Sequence, residues 1–311
     1  MRGFSSYDIM GGNAVNVAYC LASLGAKIIL FTMADEIGTS ILKNSFSKFD
    51  ENDVKLCIVE GKHGLTTSFE LLSDDVISSK NMFTKSNIMI SDVRENANLG
   101  PKDLFKSKND LEILNNSAAI MILNWATNFK GSDLVKTTIT NSPNSFHFLD
   151  PADIESRKDE FILLLKEISN KLDILSINEN ECNTLLKKLR CNSDLFLTNN
   201  YNKDTVKKST KLLSSRLNIA IDLHTRIGSC WSDGKDTIFS HSVENILPKR
   251  LTGAGDSWDA ADILGHLVNL PHLTRLKFAN LYSSYYISKE DRDPATLEEI
   301  KEFGITNNVI S

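Results

Sequence analysis

Short apolar runs alternate with segments of helical periodicity through most of this chain, and that alternation leaves few architectures open. Val17, Leu21 and Leu24 recur at helical spacing over Ala14–Leu24, and Gly25 is placed to end that helix. Ile28–Phe31 follows as a buried strand, then Ile37–Phe49 as a helix with Ile41, Leu42, Phe46 and Phe49 on one side. Val54–Val59 and Thr66–Leu72 read as strands. So do Ala118–Leu123, Phe146–Leu149, Asp173–Ile177 and Ile219–Leu223, most of them leading into a helical segment. Such repetition predicts an α/β fold with a mostly parallel central sheet flanked by helices. Asn-, Lys- and Ser-rich stretches at Ser78–Asn87, Lys106–Asn109 and Asn192–Lys203 read as surface loops. With no internal repeat and no linker, residues 1–311 are expected to form one domain.

Composition excludes several classes of function. The formal net charge of −5 offers no basic surface for nucleic acid or an anionic membrane. No apolar run approaches the roughly 18 residues of a membrane span, and the first residues lack the apolar stretch of a secretion signal. Five scattered cysteines (Cys20, Cys57, Cys182, Cys191, Cys230) form no Cys-x-x-Cys pair, so they read as reduced thiols of a cytoplasmic protein.

The chemistry concentrates at Leu251-Thr252-Gly253-Ala254-Gly255-Asp256, which opens the apolar-periodic run of Trp258, Ala261, Ile263, Leu264 and Leu267. A glycine-rich turn feeding a helix aims backbone N–H groups and the positive end of the helix dipole at one point, which suits a phosphate. A carboxylate beside that point is either a base for an attacking hydroxyl or an ordinary helix N-cap. Far upstream lies Gly11-Gly12-Asn13-Ala14-Val15-Asn16-Val17-Ala18. Asn178 and Glu181 stand one helical turn apart after the strand Asp173–Ile177, as a capped helix start or as a pair facing one Mg²⁺–phosphate point.

Taken together, these stretches resemble the PfkB/ribokinase family of carbohydrate kinases. Gly11–Ala18, with Leu24-Gly25, matches that family's Gly-Gly-x-x-x-Asn-x-Ala…Leu-Gly signature, Asn178–Glu181 its Asn-x-x-Glu motif, and Thr252–Asp256 its Thr-x-Gly-Ala-Gly-Asp signature. The resemblance implies a ribokinase-like fold with a small β lid drawn from residues 60–90, Thr66–Asn87 in particular. It implies Asp256 as general base and Gly253, Ala254 and Gly255 as anion hole. Thr252, Asn178, Asn280 and Thr225 would meet the nucleotide and its phosphates, Glu181 the Mg²⁺, and Gly11, Gly12 and Asn16 the substrate. ATP and Mg²⁺ are the expected cofactors, and a homodimer paired through the lids is expected. The acceptor would be a hydroxyl of a sugar, sugar acid or polyol. A nucleoside kinase with its base pocket near Trp125, or a non-catalytic ligand-binding protein, are the alternatives.

Asp150-Pro151-Ala152-Asp153, Arg157, Asn124 and Trp125 follow strands whose ends reach the same sheet edge. They read as helix caps and solvated groups, or as contacts to substrate and phosphate, where Arg157 would suit a sugar acid. His224 reads as a surface or satisfied residue. Three departures from the family pattern stand out. Only ten residues precede Gly11, where the resemblance implies a first strand and a substrate-binding Asp, so the sheet is expected to lack that strand. Arg250 stands where the family's monovalent-cation site has Asp, which predicts no activation by K⁺. Leu223-His224-Thr225 replaces a Thr-x-Gly, although Gly228 and Asp233-Gly234 keep the pattern that follows.

Overall fold

The computed structural model describes residues 10–72, 85–198, 201–291, 293–307 and 309. In chain order, α1 (Asn13–Ser23), β1 (Ile28–Ala34), α2 (Glu36–Phe46) and β2 (Val54–Glu60) come first, then β3 (Leu65–Leu72) and β4 (Lys85–Asp92). The middle of the chain holds α3 (Pro101–Leu104), α4 (Lys108–Asn116), β5 (Ala119–Leu123), α5 (Gly131–Asn141), β6 (Phe146–Asp150) and α6 (Lys158–Ile168). It continues through β7 (Ile174–Ile177), α7 (Glu179–Lys188), α8 (Lys203–Leu217), β8 (Ala220–Thr225), β9 (Gly228–Ser232) and β10 (Thr237–His241). Three helices close it: α9 (Ala254–Leu267), α10 (His272–Ser288) and α11 (Leu297–Thr306).

Six strands form the main sheet in the order β10-β9-β8-β7-β6-β5, parallel from β5 to β8 and antiparallel at the β9–β10 edge. Successive side chains of a strand face opposite ways, and the sheet uses both faces. Leu149, Leu175, Ile221 and Leu223 enter one apolar cluster with Val135, Phe161, Leu165, Leu185, Val206 and Leu213 of α5–α8. Phe148 and Ile174 enter a second with Val17, Trp258, Ala261, Leu276 and Tyr282 of α1, α9 and α10. Each such buried side chain contributes about 1.5–3 kcal/mol, so the two layers clamp the strands in register.

The helix expected to stop at Gly25 does so. Gly25 has φ 84°, its N–H donates to Ala22 and that of Ala26 to Leu21, which satisfies carbonyls the last turn leaves open. Elsewhere the structure departs from expectation. The loop expected at Ser78–Asn87 is in part a strand, since residues 85–87 belong to β4, while 78–84 lie outside the described residues. Lys106–Asn109 contains the start of α4, because Ser107 and Asp110 cap each other's backbone N–H reciprocally. Asn192–Lys203 holds a 3₁₀ turn at Ser193–Leu195 and the first residue of α8, and 199–200 lie outside the described residues. The strands β9 and β10 were not anticipated.

Parallel strands β1 and β2 form a separate pair among the described residues, packed on α1 and α2 through Val15, Tyr19, Leu30, Leu42 and Phe46. Antiparallel β3 and β4 project as a small two-stranded sheet with Leu65, Phe69, Ile88, Met89 and Ile90 exposed. All five cysteines are free, and among the described residues no helix is long and apolar enough to cross a membrane.

Candidate active site

The carboxyl ends of β6, β7 and β8 open toward the first turn of α9, and the expected site residues gather around that edge. Gly253 precedes α9 with φ 84°, a conformation that favours glycine, and a Cβ there would lie 2.9 Å from the Tyr286 ring. Ala254 N–H, the first of α9, donates to the Leu251 carbonyl at 3.2 Å, and a helix start of this kind has further N–H groups that can meet an anion. Asp256, in the same first turn, is buried. Its two carboxylate oxygens accept hydrogen bonds from Asn13 Nδ2 at 2.9 Å and Asn16 Nδ2 at 2.7 Å. Both asparagines stand on the first turns of α1, entered through Gly12 at φ 97°. No described atom lies within 4 Å of where a Cβ on Gly11 or Gly12 would sit. Asn13 escaped the sequence reading because it occupies a position the motif leaves open.

Thr252 Oγ1 lies 3.1 Å from Ser68 Oγ of β3, so the small sheet touches the glycine turn that precedes α9. A strand pair in that position can cover the site and exclude water.

Asn178 and Glu181 form a reciprocal cap on α7. Asn178 Oδ1 accepts from the N–H groups of Asn180 and Glu181, while its own N–H and Nδ2 donate to Glu181 at 2.9 and 2.8 Å. The amide of Asn178 is therefore used to hold Glu181. Glu181 is only 3% exposed, and burial followed by the nearby Asp150 carboxylate pushes its carboxyl well above the ordinary value. Asp259, one turn into α9, is fully buried, accepts from Ser176 Oγ at 2.6 Å, and is pushed up by burial and Asp150 as well. Its Oδ2 has no hydrogen-bond partner. Glu181 and Asp259 each feel the Asp150 carboxylate, and Asp259 Oδ2 is an acceptor left over, a donor set of the kind a divalent cation suits; among the described residues the three side chains whose ligand atoms lie within 4.8 Å of one another are instead Asp222, Asp262 and His266. Ser176 and Asp259 were missed by sequence reasoning; the polar Ser176 inside the apolar strand Asp173–Ile177 was the available signal.

Other candidates make hydrogen bonds within the protein. Asn280 accepts from Trp258 Nε1 at 2.9 Å and donates to the carbonyls of Ser240 and His241, tying α10 to α9 and β10. Thr225 Oγ1 donates to the Gly228 carbonyl at 2.6 Å and closes the β8–β9 turn. Arg157 donates to the carbonyls of Trp125, Ala126 and Asn128, pairs with Glu160 at 2.8 Å, and lies 4.2 Å over the Trp125 ring. Trp125 itself is 1% exposed and packed on Phe161. Asp150 accepts from Ala152 N–H in the turn after β6. Arg250 is buried, donates to the Asp291 carbonyl, and lies 4.1 Å over the Tyr286 ring beside the α9 turn. His224, expected to be a surface or satisfied residue, lies against Gly255 instead.

No family model matches the sequence, and no curated protein matches it either. Solved structures do match the fold. Adenosine kinase from Sinorhizobium meliloti superposes with a TM-score of 0.69 at 17% identity, over 95% of this chain and 82% of that one. Ribokinase from Arabidopsis thaliana, complexed with ribose and ATP, gives 0.67 at 16% identity, over 95% and 87%. Ribokinase from Cryptococcus neoformans, in complex with ADP, gives 0.67 at 17%, over 94% and 87%. The chain thus has the α/β fold of the ribokinases, a mostly parallel central sheet flanked by helices.

Proposed function

We propose that this chain is a kinase of the PfkB/ribokinase type, which transfers the γ-phosphate of ATP to a hydroxyl of a sugar, sugar acid or polyol. The observation that carries this reading is the Asp256 carboxylate, fixed by Asn13 and Asn16 in the same helical turn that offers the anion site. Asp256 takes the proton of the acceptor hydroxyl as its oxygen bonds to the γ-phosphorus and the bond to the ADP oxygen breaks. N–H groups of the Gly253–Gly255 turn hold the charge on the transferring group. Gly11, Gly12 and Asn16 border the acceptor side, and Thr252 the phosphate side. Glu181, oriented by Asn178, and Asp150 are the residues that would hold Mg²⁺; when bound, that ion supplies positive charge to the phosphates. Catalysis of this kind is mainly positioning and electrostatics.

A polyhydroxylated acceptor is favoured over a nucleoside. Enclosed by Phe161 and Arg157, Trp125 offers no face on which a base could stack. Residues 1–311 acting as one cytoplasmic domain, with the β3–β4 sheet as lid and its exposed Phe69, Ile88 and Ile90 pairing two copies, complete the proposal. ADP release measured against separate pools of sugars, sugar acids, polyols and nucleosides tests it. Turnover with a polyhydroxylated pool supports the reading, turnover with nucleosides alone reverses the choice of acceptor, and tight sugar binding without turnover identifies a binding protein.

A further inference from the structure

Along β8, Ile221 and Leu223 enter the core beneath α5–α8, so Asp222 and His224 face α9 on the other side of the sheet. Asp222 is taken up by Arg275, whose Nη1 and Nη2 lie 2.9 and 3.0 Å from its oxygens. His224 stands nearer the carboxyl end of the strand and meets the first turn of α9. A Cβ on Gly255 would sit 3.4 Å from His224 Cε1 and 3.8 Å from Nε2. The ring packs on the Trp258 indole with centroids 5.2 Å apart, which sets its plane without using a nitrogen. Among the described residues neither ring nitrogen takes part in a hydrogen bond.

We infer that His224 is a phosphate-contacting residue: its ring N–H donates to the terminal phosphate of a nucleotide bound at the first turn of α9. This rests on the kinase reading above. The half-buried ring has no partner among the described residues at either nitrogen and both remain accessible, so a phosphate seated at the α9 turn can accept its N–H directly. The backbone N–H groups of the turn attract any anion; a ring held over Gly255 adds a direction and so distinguishes the terminal phosphate from those behind it. Burial holds the imidazole below its ordinary value against the pull of Asp150, Glu179 and Asp222. At neutral pH the ring is then uncharged, with one nitrogen donating and the other accepting. The resemblance sets the family's Thr-x-Gly, a phosphate or adenine contact, against Leu223-His224-Thr225 and gives the middle residue no role; the signal for His224 itself was a polar residue at the alternate position of a central strand.

Calorimetric binding of ATP, ADP and AMP, each with Mg²⁺, to the wild type, His224→Leu and His224→Gln tests the assignment, with melting curves as the control for folding. A hydrogen bond to a charged group corresponds to about tenfold or more in affinity. His224→Leu is expected to weaken ATP by about that factor relative to AMP, and His224→Gln, which keeps a donor, to recover part of it. An unchanged ATP-to-AMP ratio in a folded leucine variant overturns the inference and leaves the kinase reading standing. A wild type that binds no nucleotide overturns both. If the leucine variant does not fold, the His224 ring resonances of the unaltered protein decide: they shift with ATP and not with AMP if the contact exists, and respond alike if it does not.

Discussion

Asn16 Nδ2 lies 2.7 Å from Asp256 Oδ2, joining residues 240 apart in the chain. A helix start from one end of the sequence thereby orients the carboxylate of a helix start from the other. A base works only when aimed at the proton it removes, and small misplacements are costly. Asn16→Ala is expected to lower kcat by about 10–100-fold while thermal stability changes little. Steady-state kinetics beside a melting curve checks this; an unchanged kcat would mean that Asn13 alone fixes Asp256.

Behind α9, Arg275 is fully buried and pairs with both Asp222 and Asp262. Removing it leaves the two buried carboxyl groups with only the His266 imidazole, 3.2 Å from Asp222 and 3.7 Å from Asp262, beside them. Arg275→Met should therefore destabilise the fold by about 3–5 kcal/mol, measured by urea unfolding. Adding Asp262→Asn should recover part of that loss.

Beside this network, His272 lies flat on Trp231 at 3.6 Å, and its Nδ1 is 3.3 Å from Arg275 Nη2. Burial first, and then the Arg275 guanidinium, hold the imidazole below its ordinary value. The unfolded chain binds this proton at a higher pH than the folded one, so unfolding takes up a proton as pH falls through about 6.5. Stability from this group is present above that pH and lost below it. His272→Gln should show a smaller drop in Tm between pH 7.5 and 5.5 than the wild type; equal drops would remove His272 from the account.

Arg250 places a fixed guanidinium beside the α9 turn, over Tyr286 and bonded to the Asp291 carbonyl. A resident cation there repels a second one. Turnover should be the same in K⁺, Na⁺ or a bulky organic cation, and a several-fold rise with K⁺ would contradict this.

Much of this site was legible because its parts are local motifs. Gly253–Asp256, Asn178 with Glu181, and Gly12 with Asn16 each combine a turn and a helix start, whose geometry short sequence determines. What stayed hidden depends on which strand faces which helix. Ser176, Asp222 and His224 reach α9 only because β7 and β8 lie side by side, with Ser176 opposite Asp222 in register. Asn280 and Arg157 show the converse difficulty. A polar side chain that ties backbone carbonyls together in a core looks, in sequence, like one waiting for a ligand. Within the large sheet, the alternation predicted β5 to β8, whereas β9 (Gly-Ser-Cys-Trp-Ser) and β10 (Thr-Ile-Phe-Ser-His) are as long as β5 and β6 but carry more small and polar residues than those do.

Asp256 is the centre of the account, and replacing it with asparagine keeps its shape while removing its basicity. With an acceptor from the screen in hand, ADP formation by the wild type and Asp256→Asn should differ by at least about 10²-fold, with ATP affinity unchanged. Equal rates in the two proteins would contradict the assignment of Asp256 as the base.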